Sequence, residues 1–263
     1  WVTTIVILSV NNALPSGLMG MVDIFALSGL HFVQKSGDGA LSKVEWHPNV
    51  ILANHDGQPI TDGHGRIFEV DSDFASIKHC DAVLVPGFIP NGQGHPPKTT
   101  TDMLTCSWLA TQYRKGALMC GSCSGVFALG EAGLLNNRKC TTTWWLHDEL
   151  KQRFPKANAV WASELIDDNG IITAGGPLSW VTIALHVVQK LAGIETAKVV
   201  ADFSVVDAIP KSQNLYVPEG YQASNNPFLA KAEYTIRKAH YQTMSAGDLA
   251  KIMAVSERTL NRK

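Results

Sequence analysis

Short apolar, β-branched runs alternate with segments of helical period along most of this chain, and that alternation limits its fold more than any other feature. "TTIVILSV" (3–10) is apolar nearly throughout, the mark of a strand buried on both faces rather than on one. "DAVLVPG" (81–87) reads as another buried strand, "ALMC" (117–120), "KCTTTW" (139–144) and "GIITAGG" (170–176) read as strands, and "KVEWHPNVILA" and "RIFEV" read as shorter strands around a turn. Between them, 19–33, 100–116, "SGVFALGEAGLL", "LHDELKQRF" and 177–193 carry apolar residues at helical spacing. The 100–116 helix is expected to have a threonine cap and a glycine stop, and 177–193 to have Pro in its first turn and Gly after its last. Strand–helix alternation of this kind predicts an α/β sandwich, a parallel sheet covered by helices on both faces.

The 263 residues suffice for one large domain and something smaller. Residues 1–206 form the α/β part. Residues 207–228 are rich in Pro, Gly, Ser and Asn without periodicity and read as a linker. Residues 229–263 form an all-α segment. Hydrophobic content of 45 % against 17 % charged excludes a disordered chain. The charge is uneven: from Lys231 onward seven Lys/Arg face three acids, a net of +4, which leaves −5 on residues 1–230. A basic tail on a mildly acidic body points to an end that meets DNA. The five cysteines (80, 106, 120, 123 and 140) lack the spacing of a disulfide framework or a zinc site, and free thiols in a reducing cytoplasm are expected. No metal or cofactor is called for. No apolar run approaches membrane-spanning length, and "WVTTIVILSV" reads as a first strand rather than a signal peptide.

The stretch "MCGSCSGVFALGEAGLL" (119–135) carries the chemistry. It places Cys123 in G-x-C-x-G between a strand and a helix. A nucleophile on such a turn needs small neighbours, and Gly121 and Gly125 supply them. The helix start aims free N–H groups at the sulfur.

From this elbow through "AGLL", "TTTW" and "DELKQRFP", the chain resembles the DJ-1/PfpI superfamily, a flavodoxin-like α/β fold related to class I glutamine amidotransferases. More narrowly it resembles the branch fused to an AraC-type DNA-binding domain, because "MSAGDLAKIMAVSERTLNRK" follows the first helix-turn-helix of that family. The resemblance implies a small-molecule effector, and a site without chemistry if the partners of the cysteine are gone. Relatives commonly place His in the slot after two threonines, where this chain has Thr143, and enzymatic relatives carry an acid where this chain has Ser16 and Gly17. Asp23 falls a turn too late. His147 is expected to face solvent and His186 to pack mid-helix; His55 and His64 lie around a turn and His95 in a loop. A threonine cannot accept the proton a thiol–imidazole pair exchanges. The expected site is therefore a degenerate cysteine-elbow pocket lined by Ser16, Gly17, Gly87, Phe88, Cys123, Ser124, Thr143 and Trp144. The loop "VPGFIPNGQG" (85–94), with Gly92, shapes one side. An aromatic wall at Trp144 or Trp145 suits a cationic or quaternary-ammonium compound, and the resemblance implies an amino-acid-like or betaine-like one.

In the tail, Ser245 and Ser256 read as helix caps, with Leu249, Ile252 and Leu260 as core. The second helix would present Ser256, Glu257, Arg258, Thr259, Asn261 and Arg262 to the major groove of double-stranded DNA, while Lys251 and Lys263 touch phosphates. AraC-type domains carry two such units, so this segment is expected to be a truncated one. A homodimer, paired through 177–193 and 195–206, would suit two half-sites. The competing classes are a cysteine-dependent hydrolase, hydratase or glyoxalase-like enzyme, and a thiol redox sensor in which Cys120 resolves an oxidised Cys123.

Overall fold

The computed structural model describes residues 2–28, 33–35, 41–43, 46–89, 96, 101–207, 212–218, 227–238 and 244–262. Gly92, His95 and Lys263 lie outside the described residues. The chain divides into two compact units, Trp1–Gln213 and Asn214–Lys263.

A seven-stranded sheet frames the first unit. In chain order its strands are β1 (Thr4–Leu8), β2 (Asn49–Asn54), β3 (Ser72–Asp73), β4 (Ala82–Val85), β5 (Leu118–Ser122), β6 (Leu165–Asp168) and β7 (Ile171–Ala174). The spatial order is β6-β7-β5-β4-β1-β2-β3. β1 pairs in parallel with β2 and β4, β5 with β4 and β7, and β2 with β3, as the alternation predicts. Ile5, Val6, Ile7 and Leu8 are all 0 % exposed, as are Ala82, Val83, Leu84 and Val85. Consecutive residues on a strand face opposite ways, so both faces are covered. The edge strand β6 departs from the all-parallel expectation: it runs antiparallel to β7. The hairpin is made by Asn169 and Gly170, whose φ values of 54° and 81° are those a two-residue primed turn needs.

The chain runs from β1 outward to β2 and β3, then returns to the other side of β1 at β4. The register sets the strand ends level: Val85 pairs with Gly121, and Ser122 with Ala174. Residues 86–88, 123–125 and 175–176 therefore leave the sheet side by side, at the strand ends where open α/β sheets bind ligands.

The helices are α1 (Pro15–Ser28), α2 (Met103–Arg114), α3 (Val126–Glu131), α4 (His147–Arg153), α5 (Trp180–Ala192) and α6 (Ile194–Ser204). α1, α5 and α6 pack together, and α2 packs on α3. α1 starts earlier than its apolar spacing predicts, because Pro15 is pre-set for a first turn. α2 is capped by Asp102, whose carboxylate accepts from Thr105 N at 2.7 Å, and not by a threonine. Thr101 is engaged elsewhere, its N–H donating to Glu131 Oε2 at 2.8 Å. Gly116 ends the turn after α2 at φ 99°. Among the described residues no helix is long and apolar enough to cross a membrane.

The second unit contains α7 (Pro227–Lys238), α8 (Ala246–Ile252) and α9 (Glu257–Arg262). α7 packs with α8, and α8 with α9. Ser245 and Asp248 form a reciprocal capping box at the start of α8, with Asp248 N donating to Ser245 Oγ at 3.1 Å and Ser245 N to Asp248 Oδ2 at 3.1 Å. Ala254, at φ 54°, turns the chain between the helices. The core differs from the expected one. Ala250 and Met253 are buried, whereas Ile252 is 51 % exposed and Leu249 and Leu260 are half-buried. The turn points Met253 inward and carries Ile252 to the surface.

Candidate functional site

Cys123 sits where β5 becomes a 3₁₀ turn, Cys123–Gly125, that leads into α3. Its φ is 53°, a left-handed conformation that costs a non-glycine residue energy and persists only under constraint. The constraints are visible. Thr142 Oγ1 donates to the Cys123 carbonyl at 2.7 Å. A Cβ on Gly121 would lie 3.0 Å from Val126 Cα, and one on Gly125 would lie 2.5 Å from the carbonyl oxygens of Val85 and Pro86. The two glycines of G-x-C-x-G are therefore dictated by close approach of helix and strands.

The β4 end closes on the cysteine from one side. A Cβ on Gly87 would stand 3.3 Å from Cys123 Cβ. Ser124 Oγ accepts from Phe88 N at 2.7 Å and donates to Phe88 O at 3.0 Å. The hydroxyl's one proton is thus committed to holding the 87–88 loop. Ala13 and Phe88 form an isolated bridge, which ties the same loop to the start of α1. Gly17 is buried there, with Pro86 Cβ 3.0 Å and Trp180 Cδ1 3.8 Å from the place a side chain would occupy. Ser16, beside it, is exposed.

The other side is built by the loop after residue 140. Thr143 is 0 % exposed and its Oγ1 has no hydrogen-bond partner among the described residues; the same holds for Ser122 Oγ beside the cysteine. Trp144 and Trp145 meet edge to face at 5.1 Å, and Trp145 packs against the core. Sequence reasoning missed a third contributor. Gln213, placed in the linker by composition, is buried. Its Nε2 donates to Thr142 O at 3.0 Å and to Ser163 O at 2.6 Å, and its Oε1 accepts from Trp144 N at 3.0 Å. Nothing in a Pro/Ser/Asn-rich stretch signals such a contact, because it joins residues some seventy positions apart in the chain.

Burial pushes the Cys123 thiol up to about 11, against the opposing hydrogen bonds of the Ser124 and Gly176 N–H groups. The thiol is therefore protonated at neutral pH, in spite of the helix start next to it. His147 does not face solvent as expected. It is buried edge-on against Trp161, with ring centroids 5.1 Å apart, and burial lowers its pKa. His186 does more than pack: its Nε2 lies 3.0 Å from Asp167 Oδ2, an oxygen that Lys190 Nζ also reaches at 3.0 Å. His55 lies beside the carboxylates of Asp56 and Asp102. Cys80, Cys106, Cys120, Cys123 and Cys140 are all free thiols, and Cys120 is 0 % exposed, with burial raising its pKa.

In the second unit, Ser256, Glu257, Arg258, Asn261 and Arg262 are exposed and Thr259 is half-buried. Thr259 N donates to Ser256 Oγ at 3.2 Å, so Ser256 caps α9. Glu257 Oε1 lies 2.6 Å from where a Cβ on Gly247 would be, which places its carboxylate against the start of α8. Lys251 is exposed on α8.

Known proteins agree with this architecture. The chain is 30 % identical to isonitrile hydratase of Pseudomonas putida over 152 residues, 57 % of this chain and 63 % of that protein. It is 27 % identical over 221 residues to the HTH-type transcriptional regulator CdhR of Pseudomonas aeruginosa, 82 % of this chain and 62 % of that protein. It is also 24 % identical over 219 residues to the HTH-type regulator GbdR of the same species, 82 % of this chain and 57 % of that protein. The chain thus spans about three fifths of the length of these relatives. Among solved structures, Drosophila melanogaster DJ-1beta superposes with a TM-score of 0.62 at 18 % identity, over 79 % of this chain and all of that one. An AraC family transcriptional regulator from Pseudomonas putida does so with 0.59 at 16 %, over 77 % of this chain and 99 % of that one. These two likenesses show the fold. The model of the DJ-1/PfpI family matches residues 39–190, more than half of the sequence, and the chain belongs to that family.

Proposed function

We propose that this chain is the sensing part, with the beginning of the DNA-binding part, of a ligand-responsive transcriptional regulator of the AraC type. The observation that carries the reading is the helix pair α8–α9. It is capped at both starts and turned at Ala254, and it leaves Arg258, Asn261 and Arg262 exposed on the second helix. A helix so presented reads base edges with Arg and Asn, while Lys251 meets phosphate. Similarity to CdhR and GbdR, both HTH-type regulators, supports the same reading.

The effector is a small metabolite held in the elbow pocket by Gly17, Gly87, Phe88, Cys123, Thr143 and Trp144, with Ser16 at its rim and Ser124 positioning the 87–88 loop. It is recognised without being transformed. A protonated thiol is a poor nucleophile, and Thr143 in the slot beside it takes no proton. The face of Trp144 suits an amino-acid-like or quaternary-ammonium group. The protein acts in the cytoplasm as a homodimer; the exposed Leu178, Ile194 and Val205, at and beyond the ends of α5 and α6, supply apolar surface for that contact. Cys123 at its strained elbow, together with the similarity to isonitrile hydratase, favours a second reading, a cysteine-dependent hydratase.

The test is operator binding by the full-length protein. Genomic fragments retained by the wild type are selected, and the affinity of Arg258→Ala for them is measured by fluorescence anisotropy. The expected loss is about 1–3 kcal/mol, specific to the selected sequence. An unaltered affinity removes α9 as the reading helix.

A further inference from the structure

Gln213 is the last residue of the first unit, and the chain leads from it directly into the second. Ser212 and Asn214 on either side are exposed, while Gln213 is 5 % exposed and buries its side chain in the first unit. Beside it, Ser212 borders a crevice of about 410 Å³ with residues 160–165.

The bonds of that side chain converge on the cysteine elbow. Its carboxamide takes Thr142 O, Ser163 O and Trp144 N, and its backbone N–H donates to Ala162 O at 2.9 Å. Both N–H donors of the amide head are used and its oxygen accepts one bond, so three of its four valences are engaged. Thr142 in turn holds the Cys123 carbonyl. Gly175 makes the room: a Cβ there would lie 2.0 Å from Gln213 Nε2. The next residue, Gly176, directs its N–H at the Cys123 sulfur. One side chain therefore joins the exit of the chain to both loops that flank the cysteine.

We infer that Gln213 is a positioning residue that latches the segment leading to the second unit onto the loops 142–144 and 175–176 of the cysteine elbow, so that a change at either end is felt at the other. For its use in signalling, the latch rests on the proposed reading of the elbow as an effector pocket; the contacts and their coupling do not. Coupling of this kind is reciprocal: whatever shifts the elbow loops loosens the exit, and whatever frees the exit loosens the elbow.

Two substitutions in the full chain, one at each end, test this. Gln213→Ala removes the latch at the exit, and Gly175→Ala displaces the amide from the elbow side. Two rates are read in each variant: alkylation of Cys123 by iodoacetamide, relative to that of buried Cys140 in the same molecule, and tryptic cleavage after Lys211. The latch predicts cross-effects. Gln213→Ala raises the Cys123-to-Cys140 alkylation ratio at least about fivefold, and Gly175→Ala raises cleavage after Lys211 by a similar factor, as local opening without global unfolding requires. In the double variant the effects do not add, because each substitution has already broken the same contact. Effects confined to the mutated end, or Cys123 and Cys140 rising together, overturn the latch. Neither outcome touches the assignment of the pocket as an effector site, which stands or falls on ligand and operator binding.

Discussion

Thr142 Oγ1 donates to the carbonyl of Cys123 at 2.7 Å, so the loop beyond the elbow fixes the strained residue at its apex. Both residues are buried. Thr142→Val keeps the shape and removes one of the two donors to this buried carbonyl, the other being the Val126 N–H. The expected cost is about 0.5–1.5 kcal/mol, the net worth of one hydrogen bond. Thermal unfolding of the first unit, read by near-ultraviolet circular dichroism, should fall by several degrees; no shift would mean the bond is not formed in solution.

Ser124 both accepts from and donates to the backbone of Phe88, which makes it the pin of the 87–88 loop. Ser124→Ala strands an N–H and a carbonyl together. A loss of about 1–3 kcal/mol is expected, with faster amide exchange at Phe88 than at the strand residues before it. Protection at Phe88 equal to that of the wild type would show that the hydroxyl is free for another partner.

The thiol of Cys123 is raised by burial to about 11, above its ordinary value of 9.0, and that of Cys140 likewise to about 11. The neutral form is the one folding favours. Its contribution to stability is therefore complete below the ordinary thiol value and fades as pH rises from there through 11. Urea midpoints should hold steady up to about pH 8.5 and then fall, and alkylation of Cys123 should climb across the same window. An alkylation rate that levels off near pH 7 would reveal a thiolate and reverse the argument.

In the second unit, the capping box of Ser245 and Asp248 satisfies free amides at the start of α8. Ser245→Ala should cost about 1 kcal/mol of helix stability. Amide exchange over 246–249 should speed up accordingly, with α5 unchanged. Equal exchange in the two proteins would show that α8 is held by other contacts.

Much of this was legible in residue order. Strands buried on both faces announce themselves by unbroken apolar runs, and β1 and β4 are such runs. The elbow was legible because its glycines answer to close approach, which only the smallest residue tolerates. The antiparallel strand β6 was overlooked although Asn169-Gly170 carried a turn signal; "LIDD" is short, half-buried and half-acidic, without alternation. The role of Asp102 over a neighbouring threonine depended on Glu131 claiming Thr101, a contact thirty residues away. His147 and Gln213 were misread for the same reason. A lone polar residue shows its environment only when the fold brings distant segments around it.

The claim at the centre is that the elbow binds a metabolite and leaves it chemically intact. Turnover of isonitrile, amide and thioester probes, followed in parallel with wild-type protein and Cys123→Ser, tests it most directly. The account predicts no product from either protein above the uncatalysed background. Product formed by the wild type and lost in Cys123→Ser would contradict it.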